Sequence, residues 1–166
     1  MFAIDHREMN PVLHLLHELC LSRKVTIVTA ESCTGGLISA LLTSLPSSSS
    51  YFLGGVCSYS NESKSNLIRV PADLIRKHGA VSESVAKSMA EGARAVFRAD
   101  YSVAVTGIAG PGGGTIDKPV GTVFVSFDAK GVTSVEHLSL QGDRDSIRAQ
   151  TCLFALAGLY QRILSS

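Results

Sequence analysis

No apolar run in the 166-residue chain approaches the ~18 residues of a membrane span. Residues 1–20 carry charges where a secretory signal needs an unbroken apolar stretch. A cytoplasmic protein that does not engage a membrane is therefore expected. Charge of one sign is also missing: 15 Lys+Arg stand against 14 Asp+Glu, for a formal net charge of +1. With the basic residues scattered and no aromatic cluster to stack bases, direct nucleic-acid binding is not expected. Cys20, Cys33, Cys57 and Cys152 form no C-x-x-C pair and have no histidine at zinc spacing. Reduced thiols are the expectation, with no metal. His14 and His17 lack a third ligand nearby and read as a surface or partner-facing stripe. The glycine-dense loop Gly107-Ile-Ala-Gly-Pro-Gly-Gly-Gly-Thr115 has neither the Gly-Lys-Ser/Thr of a P-loop nor the third glycine of a dinucleotide fingerprint. Neither ATP nor NAD is indicated, and no cofactor is expected.

What is present is enough for one domain with a real core, spanning residues 1–166. Met9, Leu13, Leu16 and Cys20 make one face of a first helix. Val25 to Thr29 is too continuously apolar for a half-exposed strand, which suggests a sheet covered on both faces. A helix from about Thr34 to Thr43, a serine-rich turn at residues 46–50 and a strand from Gly55 to Ser60 follow. Pro71 and Gly79 bracket a short helix, Ala72 to His78, whose C-terminus favours His78 without any catalytic role. Ser82 caps the next helix, with Val85, Met89, Ala93 and Val96 facing the core. Tyr101 to Thr106 is a third strand. Val120–Phe127 and Ser134–Leu140 read as a hairpin about Asp128-Ala-Lys-Gly131, and Ser146 to Leu164 as a closing helix. The alternation predicts a three-layer α/β domain with a mixed sheet.

Two loops fall at the ends of the buried strands, after Thr29 and after Thr106, where open α/β sheets place their ligand crevice. In the first, Ala30-Glu-Ser-Cys-Thr-Gly-Gly36 crowds Ser32, Cys33 and Thr34 at a strand-to-helix junction. Gly35 and Gly36 let a ligand or a second backbone come close. The plainer alternative makes Ser32 an N-cap worth ~1 kcal/mol. The loop after Thr106 and Gly107 can offer N–H groups to an anion. No histidine lies within the polar clusters, so a Ser-His-Asp triad has no base. Lys64 lies near a strand end beside Tyr59 and Asn61. Partly desolvated there, it could deprotonate a hydroxyl; otherwise it is an exposed helix residue paired with Glu62 or solvent.

Ala30-Glu-Ser-Cys-Thr-Gly-Gly36, Tyr59-Ser-Asn-Glu-Ser-Lys64, Gly79-Ala-Val-Ser82, Val105-Thr-Gly-Ile-Ala-Gly-Pro111 and Lys118-Pro-Val-Gly-Thr122 occur in the order and spacing of one known family. From about Met9 to Leu164 the chain resembles the C-terminal domain of CinA-type proteins, a family that includes stand-alone nicotinamide mononucleotide deamidases. The resemblance implies a homo-oligomeric α/β/α domain with a mixed, mostly parallel five-stranded sheet. It also implies hydrolysis of the carboxamide of nicotinamide mononucleotide to nicotinic acid mononucleotide and ammonia, in pyridine nucleotide salvage, by a Ser/Lys dyad without metal. Carried over by motif, Ser32 is the nucleophile and Lys64 its base, with Tyr59 supporting. The family has Gly-Ser-Ser where this chain has Ser47-Ser-Ser49, which makes Ser48 the alternative nucleophile or a substrate ligand. Thr34, Gly35, Gly36, Asn61, Thr106 and Gly107 are further substrate-binding candidates. For the substrate phosphate the candidates are Arg144, Arg148 and Lys118, with Arg144 favoured by its place in the first turn of a helix. Two rival readings are a nucleotide-binding or competence- and damage-related regulatory domain without turnover, and a cysteine hydrolase using Cys33 at a helix start.

Overall fold

The computed structural model describes residues 6–166, with side chains from residue 11 onward. Met9 of the expected first-helix face therefore lies outside the described side chains. The chain runs α1 (His6–Arg23), β1 (Ile27–Glu31), α2 (Leu37–Thr43), a 3-10 turn (Ser48–Ser50), β2 (Phe52–Cys57), α3 (Asn61–Ile68), α4 (Ala72–His78), α5 (Glu83–Phe97), β3 (Tyr101–Gly107), β4 (Thr122–Ala129), β5 (Val132–Ser139) and α6 (Arg144–Leu164). The five strands form one mixed sheet in the order β2-β1-β3-β4-β5. β1 is parallel to both β2 and β3, whereas β3–β4 and β4–β5 are antiparallel. β2, β1, β3 and β5 thus point one way and β4 the other.

The strands at the middle of the sheet are buried along almost their whole length because both faces are covered. Ile27, Val103, Val105 and Phe127 pack beneath α1, α2 and α6 with Leu16, Ile38 and Leu156. Val28, Ala30 and Ala104 pack against Val85, Met89, Ala90 and Ala93 of α5 and Ile68 of α3. Small residues on that second face let α5 approach the sheet closely. Lys130 and Gly131, both at positive φ (52° and 97°), close the β4–β5 hairpin, as a two-residue turn requires.

Several boundaries differ from the sequence reading. β2 begins at Phe52 rather than Gly55, so Gly54 and Gly55 lie inside the strand. An added Cβ on Gly54 would sit 2.7 Å from Phe97 and one on Gly55 2.2 Å from Ser39 Oγ; the glycines admit the flanking helices. β1 runs on through Glu31, and α2 starts at Leu37 with Gly36 at its N-cap. Val96 is 39% exposed and not core; Phe97 fills the space instead. His17 is buried, its Nδ1 3.1 Å from the Tyr51 hydroxyl, and so is no surface residue. Ser47 adopts φ 68°, the left-handed conformation that glycine takes most readily.

Candidate active site

Ser32 follows the last residue of β1, and its N–H donates to Val105 O of β3 at 3.0 Å. The turn from Ser32 to Gly36 reverses the chain into α2, with Gly35 and Gly36 at φ 62° and 95°. Ser32 is therefore not an N-cap. Glu31 performs the capping: its carboxylate, 0% exposed, accepts from the N–H groups of Gly36, Ile38 and Ser39 at 3.0, 3.0 and 2.8 Å. It also accepts from the hydroxyls of Thr34 and Ser39 at 2.7 and 2.6 Å. The N–H groups of Gly36, Ile38 and Ser39 at the start of α2 are thus committed to a side chain rather than open to a ligand. Among the described residues, no backbone carbonyl accepts from the N–H groups of Cys33 and Thr34.

Lys64 comes from the first turn and a half of α3. That helix is anchored by a reciprocal cap in which the Ser60 and Ser63 side chains each accept from the other's backbone N–H at 3.0 and 3.1 Å. The Lys64 side chain turns inward and is 1% exposed. Its Nζ lies 3.1 Å from Ser32 Oγ and donates to Ser58 O at 2.7 Å. Burial pushes its pKa below the usual lysine value, because a desolvated ammonium is disfavoured against the neutral amine. In the neutral form one N–H remains on Ser58 O and the lone pair accepts from the Ser32 hydroxyl.

Around this pair lies a cleft of about 230 Å³, with Ser32, Cys33 and Lys64 meeting Tyr59, Thr106, Gly107 and Arg144. It opens at the carboxyl ends of β1 and β3, where the parallel strands diverge into their loops. Tyr59 is 63% exposed and its hydroxyl accepts from Arg144 at 3.3 Å, while Arg144 also donates to Gly110 O at 2.8 Å. The two side chains thereby span the mouth. Asp143 caps α6 by accepting from Ser146 N at 2.8 Å, which places Arg144 at the helix start. Thr106 donates to Ala80 O at 2.9 Å and ties the end of β3 to the loop before α5.

The other candidates fall elsewhere. Ser48 precedes β2, at the opposite end of the strands from Ser32 given the pairing of Ile27 with Phe52. The separation is a strand length, roughly 16 Å for five residues at ~3.3 Å each. Asn61 faces a separate hollow of about 350 Å³ between α3 and α4. The Lys118 ammonium donates to His78 O and Val81 O at 3.1 and 2.7 Å and lines a neighbouring hollow with Lys87. Thr34 is buried with its hydroxyl on Glu31, and Arg148 donates to Thr34 O at 2.8 Å. Arg148, Gly35 and Gly36 therefore shape the turn. Cys33 is 6% exposed, and burial pushes its thiol up to about 12, against the thiolate a cysteine nucleophile needs. Glu31 and Ser58 were missed. An acidic residue ending a buried run just before a helix start was the available signal for Glu31; a backbone carbonyl partner such as Ser58 O leaves no signal. Among the described residues no group of three or more His, Cys, Asp or Glu is arranged to hold a metal.

The model of the CinA C-terminal domain matches residues 9–163. A CinA-like protein of Citrifermentans bemidjiense is 48% identical over 165 residues, which is 99% of this chain and 39% of that protein. One from Thermotoga neapolitana is 42% identical over 159 residues, 96% of this chain and 38% of that protein. The chain thus spans about two fifths of the length of the curated relatives it matches. Among solved structures, a competence-damaged protein (CinA) superfamily protein from Klebsiella pneumoniae superposes with a TM-score of 0.91 at 30% identity, covering 95% of this chain and 99% of that one. A competence/damage inducible protein from Agrobacterium tumefaciens gives 0.87 at 36%, covering 91% and 94%.

Proposed function

Because the chain belongs to the CinA C-terminal domain family, we propose that it is an amidohydrolase that deamidates nicotinamide mononucleotide through Ser32 and Lys64. The observation that carries this reading is the buried amine of Lys64 3.1 Å from a serine hydroxyl at the floor of a cleft. Such a pair supplies both a nucleophile and a proton carrier without an imidazole.

Ser32 Oγ attacks the carboxamide carbon while its proton passes to the neutral Lys64 Nζ. The tetrahedral oxyanion meets N–H groups of the Ser32 turn. The resulting ammonium returns the proton to the amide nitrogen as the C–N bond breaks and ammonia leaves. Water then attacks the acyl-serine ester, giving its proton through Lys64 to Ser32 Oγ and releasing the carboxylate. Ser58 O keeps Lys64 oriented through both transfers. At the mouth, Arg144 offers a planar fork of donors to the substrate phosphate, and Tyr59 supports it.

The direct test is ammonia released from nicotinamide mononucleotide by chelator-treated protein. Release is expected with the mononucleotide and not with free nicotinamide, which has no phosphate for Arg144. A protein that binds the nucleotide without releasing ammonia would instead be the regulatory domain of the rival reading. Arg144→Ala is expected to raise KM about tenfold or more with a smaller change in kcat, as the loss of a contact made equally in ground and transition states does. An unchanged KM removes Arg144 from the phosphate site.

A further inference from the structure

Glu31 is the most heavily hydrogen-bonded side chain near the cleft, yet it lies outside the cleft and takes no part in the proton transfers. Its Oε2 accepts from Thr34 Oγ1, Gly36 N and Ile38 N, and its Oε1 from Ser39 N, Ser39 Oγ and, at 3.4 Å, Thr29 Oγ1. Every one of those donors belongs to β1, α2 or the turn between them, so a single carboxylate ties together both ends of the segment that carries Ser32. No N-cap side chain fixes the start of α2, since Gly36 at the N-cap has none and adopts φ 95°; besides Glu31, Arg148 steadies the turn through Thr34 O at 2.8 Å. Three of the donors are N–H groups that a helix start leaves without an intrahelical partner. The carboxylate meets them along the favourable direction of the helix dipole.

From this geometry we infer that Glu31 is a positioning residue for Ser32. The inference rests on the Ser/Lys reading above. Ser32 is held from one side by Val105 O and from the other by the turn that Glu31 clasps. Its Oγ must stay at hydrogen-bonding distance from Lys64 Nζ, which is itself pinned by Ser58 O. Both oxygens of Glu31 act as acceptors here. Glu31→Gln replaces one of them by an NH₂ group that faces N–H and O–H donors, so the turn has to open to relieve the clash of donors.

The test reads the nucleophile itself, without the nucleotide substrate. Wild-type protein and Glu31→Gln are treated with phenylmethanesulfonyl fluoride across a pH series, and sulfonylation of Ser32 is followed by intact mass and peptide mapping. Wild-type labelling is expected to rise with pH as Lys64 loses its proton. In Glu31→Gln it is expected to be slower by on the order of a hundredfold, since a ~1 Å misplacement costs that much. The variant's pH profile should also lose the Lys64 step, which a merely destabilised but correctly built site would keep. Should Glu31→Gln fail to fold, the Thr34→Val, Ser39→Ala double variant carries the same test. It keeps the carboxylate and removes two hydroxyl donors, and labelling about tenfold slower is expected. Labelling of the folded variant at the wild-type rate, with the wild-type pH profile, overturns the role of Glu31 and leaves the Ser/Lys reading standing. A wild-type Ser32 that is never labelled overturns both.

Discussion

Ser32→Ala and Lys64→Ala are each expected to lower kcat by about 10⁴-fold or more, and the double variant to be scarcely slower than either, because residues acting as one unit do not contribute additively. The 3.1 Å contact between Lys64 Nζ and Ser32 Oγ makes the pair such a unit: removing either atom leaves the other nothing to exchange a proton with. Lys64→Arg is expected to be as slow as Lys64→Ala, since a guanidinium does not give up its proton in a protein. The pH dependence has a defined sign. Burial lowers the Lys64 pKa, and only the neutral amine accepts a proton. kcat/KM should therefore be low in acid and rise with increasing pH, through an apparent pKa below the ~10.4 of a free lysine. Cys33→Ala and Ser48→Ala should retain most activity, the first because its thiol is pushed up to about 12, the second because of its place at the far end of the strands. A double variant whose loss is the product of the two single losses would separate Ser32 from Lys64. An inactive Cys33→Ala would move the chemistry to the thiol.

The periodic parts of this architecture were legible in the sequence. The helix bracketed by Pro71 and Gly79 and the one capped by Ser82 lie where their signals put them, because caps and breakers act locally. The buried strands were legible as apolar runs, but their ends were not. Glu31 reads as a strand terminator until the α2 N–H groups that satisfy its carboxylate are known. Gly54 reads as loop and Gly55 as the first residue of a strand until Phe97 and Ser39 are seen pressing on them. At the site, Ser32 and Lys64 carry a signal through their motifs, whereas their proximity is a product of the sheet order. Parallel pairing of β1 with β2 brings the end of one strand beside the end of the other, and α3 starts from there. Substrate-binding candidates chosen by motif alone divided accordingly. Thr106, Gly107 and Arg144 line the cleft with Tyr59, while Asn61, Lys118 and Ser48 sit in motifs whose side chains point to other neighbours or lie at the wrong end of a strand.

The second large effect is expected outside the cleft, at Gly92. In the middle of a helix an alanine normally stabilises by ~1 kcal/mol relative to glycine, and on that ground Gly92→Ala in α5 should raise Tm. Here, however, an added Cβ would lie 1.8 Å from Ile68 O and 2.9 Å from Ile68 C. Those are backbone atoms at the end of α3 and cannot swing aside as a side-chain tip can. Overpacking of this kind costs about 1–3 kcal/mol, so the clash outweighs the propensity gain and Tm should fall by several degrees, at ~2–4 °C per kcal/mol for a domain of this size. The relief has a direction, because α3 must move off α5. Lys64 stands one turn before Ile68 on that same short helix, with its carbonyl accepting from Val70 N at 3.2 Å, so the displacement is expected to disturb the 3.1 Å contact of the amine with Ser32. A shift of ~1 Å is worth on the order of 10²-fold in kcat. Thermal unfolding and the pH profile of the variant, measured together, decide the matter. A Gly92→Ala protein with a higher Tm and an unaltered profile would mean that α3 yields without moving Lys64, and that the α3–α5 contact does not set the geometry of the pair.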